Sequence, residues 1–213
     1  MEIDAGTPKP GRLFVIAAPS GAGKTTLVRR LMEADESVKF SISYTTRPRR
    51  DTETNGKDYF FVDKSTFRAM IEAGDFLEHA EVFDHYYGTS KSQVEGMLNT
   101  GDNVILEIDW QGAQQVREHM PYCRSIFILP PSVSELKARL TGRGTDSDAV
   151  IERRYRDAVS DMSHWQEFNY VVINDDLDTA TAELRAIVSG AENRTANSTD
   201  DASVRARVSA ILG

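Results

Sequence analysis

A chain of 213 residues is long enough for one compact domain with insertions and a substantial core. Its formal charge of −8 argues against broad electrostatic attraction to nucleic acid or an anionic membrane, so an anionic substrate must be met by a local cationic cluster. The single cysteine, Cys123, excludes an intrachain disulfide, no apolar stretch approaches membrane-spanning length, and Met1 to Gly11 lacks a secretory signal's charged-then-apolar order, so a cytoplasmic protein is expected.

Residues 1–10, with Pro8 and Pro10, read as a flexible leader. Leu13-Phe14-Val15-Ile16 reads as a buried strand and Leu27 to Met32 has helical spacing. Between them stands Ala17-Ala18-Pro19-Ser20-Gly21-Ala22-Gly23-Lys24-Thr25-Thr26, the strand, glycine-rich turn and helix of a phosphate-binding loop. Gly21 and Gly23 let the backbone curl so that N–H groups point at a phosphate, and the helix start adds its positive dipole end. Lys24 would reach the β- and γ-phosphates of a nucleotide, and the Thr25 hydroxyl would hold Mg²⁺. Ala18 stands where the first glycine is expected, which a small residue satisfies if its φ is negative.

Phe40 to Tyr44 alternates like a strand, Tyr59 to Val62 and Phe76 to Val82 are further strands, and Lys64 to Ala73 is a short helix. This texture predicts a small subdomain interrupting a βαβ pattern. The core pattern then resumes. Helices are predicted at Gln93 to Leu98, Gln111 to His119, Ser134 to Leu140, Asp148 to Trp165 and Leu177 to Val188, and strands at Asn103 to Asp109, Arg124 to Leu129 and Tyr170 to Ile173. Strands alternating with helices imply a parallel sheet with binding residues at its carboxyl ends. Residues 191–213 read as a flexible, polar tail with a weak helix from Val204 to Leu212, and the glycosylation patterns at Asn193 and Asn197 as accidents.

Three sets of residues carry chemistry. Glu107 or Asp109, on one face of a strand end, suits orienting Mg²⁺ directly or through water. Arg47, Arg49 and Arg50 form a basic run in an acidic chain; their planar guanidinium groups suit a second phosphate, to which Tyr59 and Tyr87 can add hydroxyl donors. Arg139, Arg143 and Arg154 suit offsetting charge on a transferring phosphoryl group, whereas Arg153 and Arg156 fit a solvated helix face. The four histidines show no metal-binding spacing.

Thr46-Arg47, Arg50, Glu53, Gly56 and Tyr59-Phe60-Phe61-Val62 resemble the signature of the guanylate kinase family. Glu78, Tyr86-Tyr87-Gly88-Thr89, Asp109-Trp110-Gln111-Gly112, Leu140 to Thr145 and Asn174-Asp175-Asp176 extend the resemblance from about Gly11 to Ser189. It implies an α/β, three-layer phosphate-loop fold: a core with a parallel sheet at 11–40 and 90–190, a GMP-binding insert at 41–89, and a helical lid at about 137–157. It also implies in-line transfer of the γ-phosphoryl of ATP to GMP, and to dGMP, with Mg²⁺.

By position, the resemblance assigns Arg47, Arg50, Tyr59 and Tyr87 to the GMP phosphate and Ser43, Glu78 and Thr89 to guanine, with Glu107 and Asp109 also on the GMP side. It assigns Ala18 to Thr26 to the ATP phosphates, Thr25 and, through water, Asp109 to the metal, Lys24, Arg143 and Arg154 to the transferring group, Arg139 to assistance from the lid, and Asn174 to the adenine edge. Glu107 stands where the family usually has Asp, and Thr52 replaces a turn glycine. Guanine offers N1–H and N2–H₂ donors that one carboxylate accepts together, whereas adenine N1 would face Glu78 unpaired. Two alternatives stand beside this reading. One is a non-catalytic interaction domain of the same fold, which the intact loop argues against. The other is a kinase for a ribose phosphate acceptor, which Ser43 and Glu78 argue against.

Overall fold

The computed structural model describes residues 10–82, 84–142, 148–190 and 197–213. Five strands form a parallel sheet in the order β2-β7-β1-β8-β9: β1 (Leu13–Ala17), β2 (Val38–Phe40), β7 (Asn103–Glu107), β8 (Arg124–Leu129) and β9 (Tyr170–Ile173). A second sheet has the order β4-β3-β6-β5, from β3 (Tyr44–Thr45), β4 (Phe60–Phe61), β5 (Phe76–Val82) and β6 (His85–Ser90). The chain falls into two compact units, residues 14–36, 107–113 and 124–213 in one, and 1–13, 37–106 and 114–123 in the other.

In the first unit, every residue of β1 is buried, as expected of a strand covered on both faces. Helix α1 (Lys24–Ala34) follows the loop and buries Leu27, Val28 and Leu31, spaced for one helix face, against α7 (Leu177–Ser189). Helices α5 (Val133–Thr141) and α6 (Asp148–Met162) pack together, and a 3₁₀ turn over Ser163–Glu167 ends the long helix earlier than the sequence pattern predicts. Side-chain caps start α5 at Ser132 and α7 at Asp176.

The tail departs from expectation. Residues 197–213 belong to this unit: Val171 N–H donates to Asn197 O at 2.8 Å, and Asn197 Nδ2 returns a bond to Val171 O at 3.0 Å. This pairing covers the edge of β9, and α8 (Ala202–Leu212), capped by Asp201, buries Val204 and Val208. Asn197 is therefore buried and bonded, which agrees with reading its glycosylation pattern as an accident. Residues 191–196 and most of the leader lie outside the described residues.

In the second unit, the predicted strand from Phe40 to Tyr44 is two strands of different sheets. β2 pairs with β7, while β3 pairs with β4 in parallel and with β6 antiparallel. β6 itself carries no apolar alternation in His85-Tyr86-Tyr87-Gly88-Thr89-Ser90 and exists through its antiparallel pairing with β5. α2 (Lys64–Glu72) is capped by Asp63, whose carboxylate accepts from the Ser65 hydroxyl at 2.6 Å and from Thr66 N–H at 2.7 Å and is held down to about 2 by these bonds. Its fully buried Phe67 stacks on Phe76 and Tyr86, at ring separations of 4.5 and 5.5 Å. α3 (Lys91–Asn99) and α4 (Trp110–His119) are the remaining helices among the described residues. No described helix is long and apolar enough to cross a membrane.

Phe67→Ala is expected to cost roughly 3–5 kcal/mol, the lost transfer energy plus a cavity that two flanking rings cannot close. Chemical denaturation measures it, and a cost below ~1 kcal/mol would show that this cluster does not hold the small sheet together.

Candidate active site

Gly21 and Gly23 adopt φ of 92° and 90°, while Asp84 is the only non-glycine with positive φ among the described residues, so Ala18 meets the condition set for it. The loop lines a cavity of about 390 Å³ together with Lys24, Thr25, Thr26, Asp109 and Asp161. Lys24 Nζ donates to Ile108 O at 2.7 Å. Burial pushes its ammonium down from the usual lysine range, and Glu107 and then Asp109 oppose that shift.

The Thr25 hydroxyl donates to Glu107 Oε1, and Asp109 Oδ1 accepts from Gly112 N–H at 2.7 Å. A hydroxyl and two carboxylates are hard oxygen donors, the chemistry Mg²⁺ prefers. Glu107, in place of the family's usual Asp, is long enough to reach the threonine of the loop.

Arg154, on α6, donates to Ser20 Oγ at 3.0 Å, so of the three arginines expected near a transferring group it lies on the loop. Arg139 Nε meets Glu135 Oε1 at 3.1 Å and its NH2 donates to Asn174 O at 3.2 Å. Arg143 lies outside the described residues. The Asn174 side chain is buried, and its Nδ2 donates to Ala22 O at 2.7 Å.

Asp161 was not legible from motif spacing, yet it lines the same cavity, seven residues beyond Arg154 and thus on the same helix face. Burial pushes its carboxyl up, against a 3.0 Å bond donated by Trp110 Nε1, and Asp109 reinforces the shift. Cys123 is buried, and burial raises its thiol.

The second unit gathers the other predicted residues by itself. The β5–β6 register sets Glu78 opposite Thr89, and the Thr89 hydroxyl donates to Glu78 Oε1 at 2.6 Å with both residues buried. Arg47 lies over the rings of Tyr59 and Phe61, at 5.5 and 5.8 Å, and touches Tyr87; the Tyr59 and Tyr87 rings meet edge to face at 6.0 Å. Ser43 contributes its carbonyl to Phe60 N–H at 2.9 Å, which ties β4 to the strand that leads into the arginine run.

Glu53 organises that run. One carboxylate oxygen accepts from Arg47 NH2 at 2.6 Å and the other from Arg50 N–H at 2.8 Å, while Arg49 donates to Glu53 O at 2.6 Å. Arg49 is thereby used to shape the loop, and Arg50 keeps an exposed side chain.

A parallel sheet whose first strand feeds a glycine turn and a Lys-Thr helix start, with acids at the end of β7, defines a phosphate-loop nucleotide-binding protein. A family model described as guanylate kinase matches residues 10–191. A guanylate kinase of Alkalilimnicola ehrlichii is 56% identical over 87% of this chain and 91% of its own length, and one of Hydrogenovibrio crunogenus 58% over 83% and 86%. The crystal structure of guanylate kinase from Anaplasma phagocytophilum superposes with a TM-score of 0.69 at 33% identity, covering 86% of this chain and 87% of that one. The chain belongs to the guanylate kinase family.

The bonds from Arg47 and from Arg50 N–H hold the Glu53 carboxyl below its ordinary value of 4.5. A depressed folded value means stability present above the unfolded value and lost as pH falls through the folded one. The unfolding midpoint in denaturant should therefore drop as pH is lowered from about 5 into the acid range, with a shallower drop in Glu53→Gln. Identical pH slopes would contradict the bridge.

Proposed function

We infer that this chain is a guanylate kinase transferring the γ-phosphoryl of ATP to a phosphate oxygen of GMP, and of dGMP, yielding ADP and the nucleoside diphosphate. The acceptor needs no catalytic base, since a phosphate monoester has its second pKa near ~6 and its oxyanion is the nucleophile at neutral pH. One P–O bond forms as the bond to ADP breaks, so the protein's work is alignment, charge neutralisation and exclusion of water.

In this reading Ala18 to Thr26 cradle the triphosphate by backbone N–H groups, and Lys24, Arg154 and Arg143 offset charge spreading over the transferring group. Thr25, with Asp109 through water, would hold Mg²⁺, which shields the β- and γ-oxygens when bound. Arg47, Arg50, Tyr59 and Tyr87 hold the GMP phosphate, Arg47 pre-set by Glu53. Ser43, Glu78 and Thr89 read guanine.

The observation that carries the acceptor assignment is the buried Glu78–Thr89 pair. A carboxylate kept in a buried site with a hydroxyl for company accepts the two donors of a guanine edge and leaves adenine unpaired, the arrangement that discriminates most strongly. The intact phosphate loop favours catalysis over a purely structural role for the fold.

A coupled assay of ADP release tests the assignment. Glu78→Ala should lower kcat/KM for GMP by roughly 100-fold or more and leave the KM for ATP within about twofold. Equal losses for the two nucleotides would refute it.

A further inference from the structure

Asn174 follows β9 at the carboxyl edge of the parallel sheet, where its N–H donates to Leu129 O at 2.8 Å. The residue is buried, and its side chain reaches the phosphate loop, where Nδ2 donates to Ala22 O at 2.7 Å. The fit is close. A Cβ placed on Gly23 would stand 2.4 Å from that nitrogen, so Gly23 is required for space as well as for its φ of 90°.

In a trans peptide the C=O and N–H point in opposite directions. Drawing the Ala22 carbonyl toward Asn174 therefore turns the Gly23 N–H the other way, and Gly23 lines the cavity at the loop. Arg139 donates to the backbone carbonyl of the same asparagine and, through Glu135, is fixed within α5. A guanidinium, an asparagine and a loop peptide thus form one chain of contacts.

We propose that Asn174 is a positioning residue for the donor triphosphate: by holding the Ala22–Gly23 peptide plane it aims the Gly23 N–H at phosphate oxygens. This rests on the reading of the loop as the ATP phosphate site. It is work distinct from contact with the adenine edge, because it acts on the loop peptide and not on a base.

Inorganic tripolyphosphate separates the two roles because it carries no base. Titration calorimetry of the full chain and of Asn174→Ala and Asn174→Leu, with Mg²⁺ present, compares tripolyphosphate, ATP and GMP. Tripolyphosphate and ATP should weaken together by about tenfold in both variants, as for loss of one buried bond that orders a charged contact, while GMP affinity stays within about twofold. In the unaltered chain the Gly23 amide resonance should shift when tripolyphosphate is added.

Loss of ATP affinity with tripolyphosphate unchanged would overturn the proposal in favour of adenine contact. A Gly23 amide that does not respond would also overturn it, whatever becomes of the variants. An unaltered chain that does not bind tripolyphosphate would remove the phosphate-loop reading, and the brace with it.

Discussion

A half-buried lysine ammonium held between a backbone carbonyl and two carboxylates is the constraint on which the phosphate loop depends. Lys24 gives up solvation at the start of α1, and the loss is offset by a carbonyl at 2.7 Å and by the charges of Glu107 and Asp109. The same carboxylates engage the loop's threonine and the first turn of α4. Arg154 brings a second cation to the same loop through Ser20. The side chains around this loop are held in place by bonds made on folding.

The second unit is held together by different means. A small sheet has little core, and this one is held by an aromatic cluster of Phe67, Phe76, Tyr86, Tyr44 and Phe60. Strand register does the positioning: one antiparallel pair sets Glu78 against Thr89 and Ala80 against Tyr87, so the buried carboxylate and the tyrosine beside Arg47 come from the same ladder. Glu53 orders the arginine run by joining the Arg47 guanidinium to the Arg50 backbone N–H through one carboxylate, while its own carbonyl accepts from Arg49.

Much of this was legible in the sequence because local signals and global fold agree. The apolar run of β1, the glycine turn and the amphipathic α1 each point to the same element, and β8 and β9 match the predicted strands residue for residue. Legibility failed where partners decide the structure. β6 carries two tyrosines, a glycine and two hydroxyls, and becomes a strand only through its neighbours, while Phe40 to Tyr44 alternates like one strand but crosses from one sheet to another. The segment 197–201 is too polar to suggest order, yet its backbone covers the edge of β9. Asp161 and the turn of Asn174 toward Ala22 need knowledge of which helix face or strand end meets the loop, which spacing alone does not contain. Glu53 was visible as part of a signature but not as the bridge between two arginines.

Lys24 and the phosphate loop belong to one unit, and the buried Glu78–Thr89 pair to the other. The most direct measurement is the pair of turnover rate and GMP affinity in Lys24→Ala, by coupled ADP release and calorimetry on the same preparation. Loss of a charge that acts on the transferring group should reduce kcat by roughly 100-fold or more while the Kd for GMP changes by less than about twofold. Substantial residual turnover, or a GMP affinity that falls in step with the rate, would contradict it.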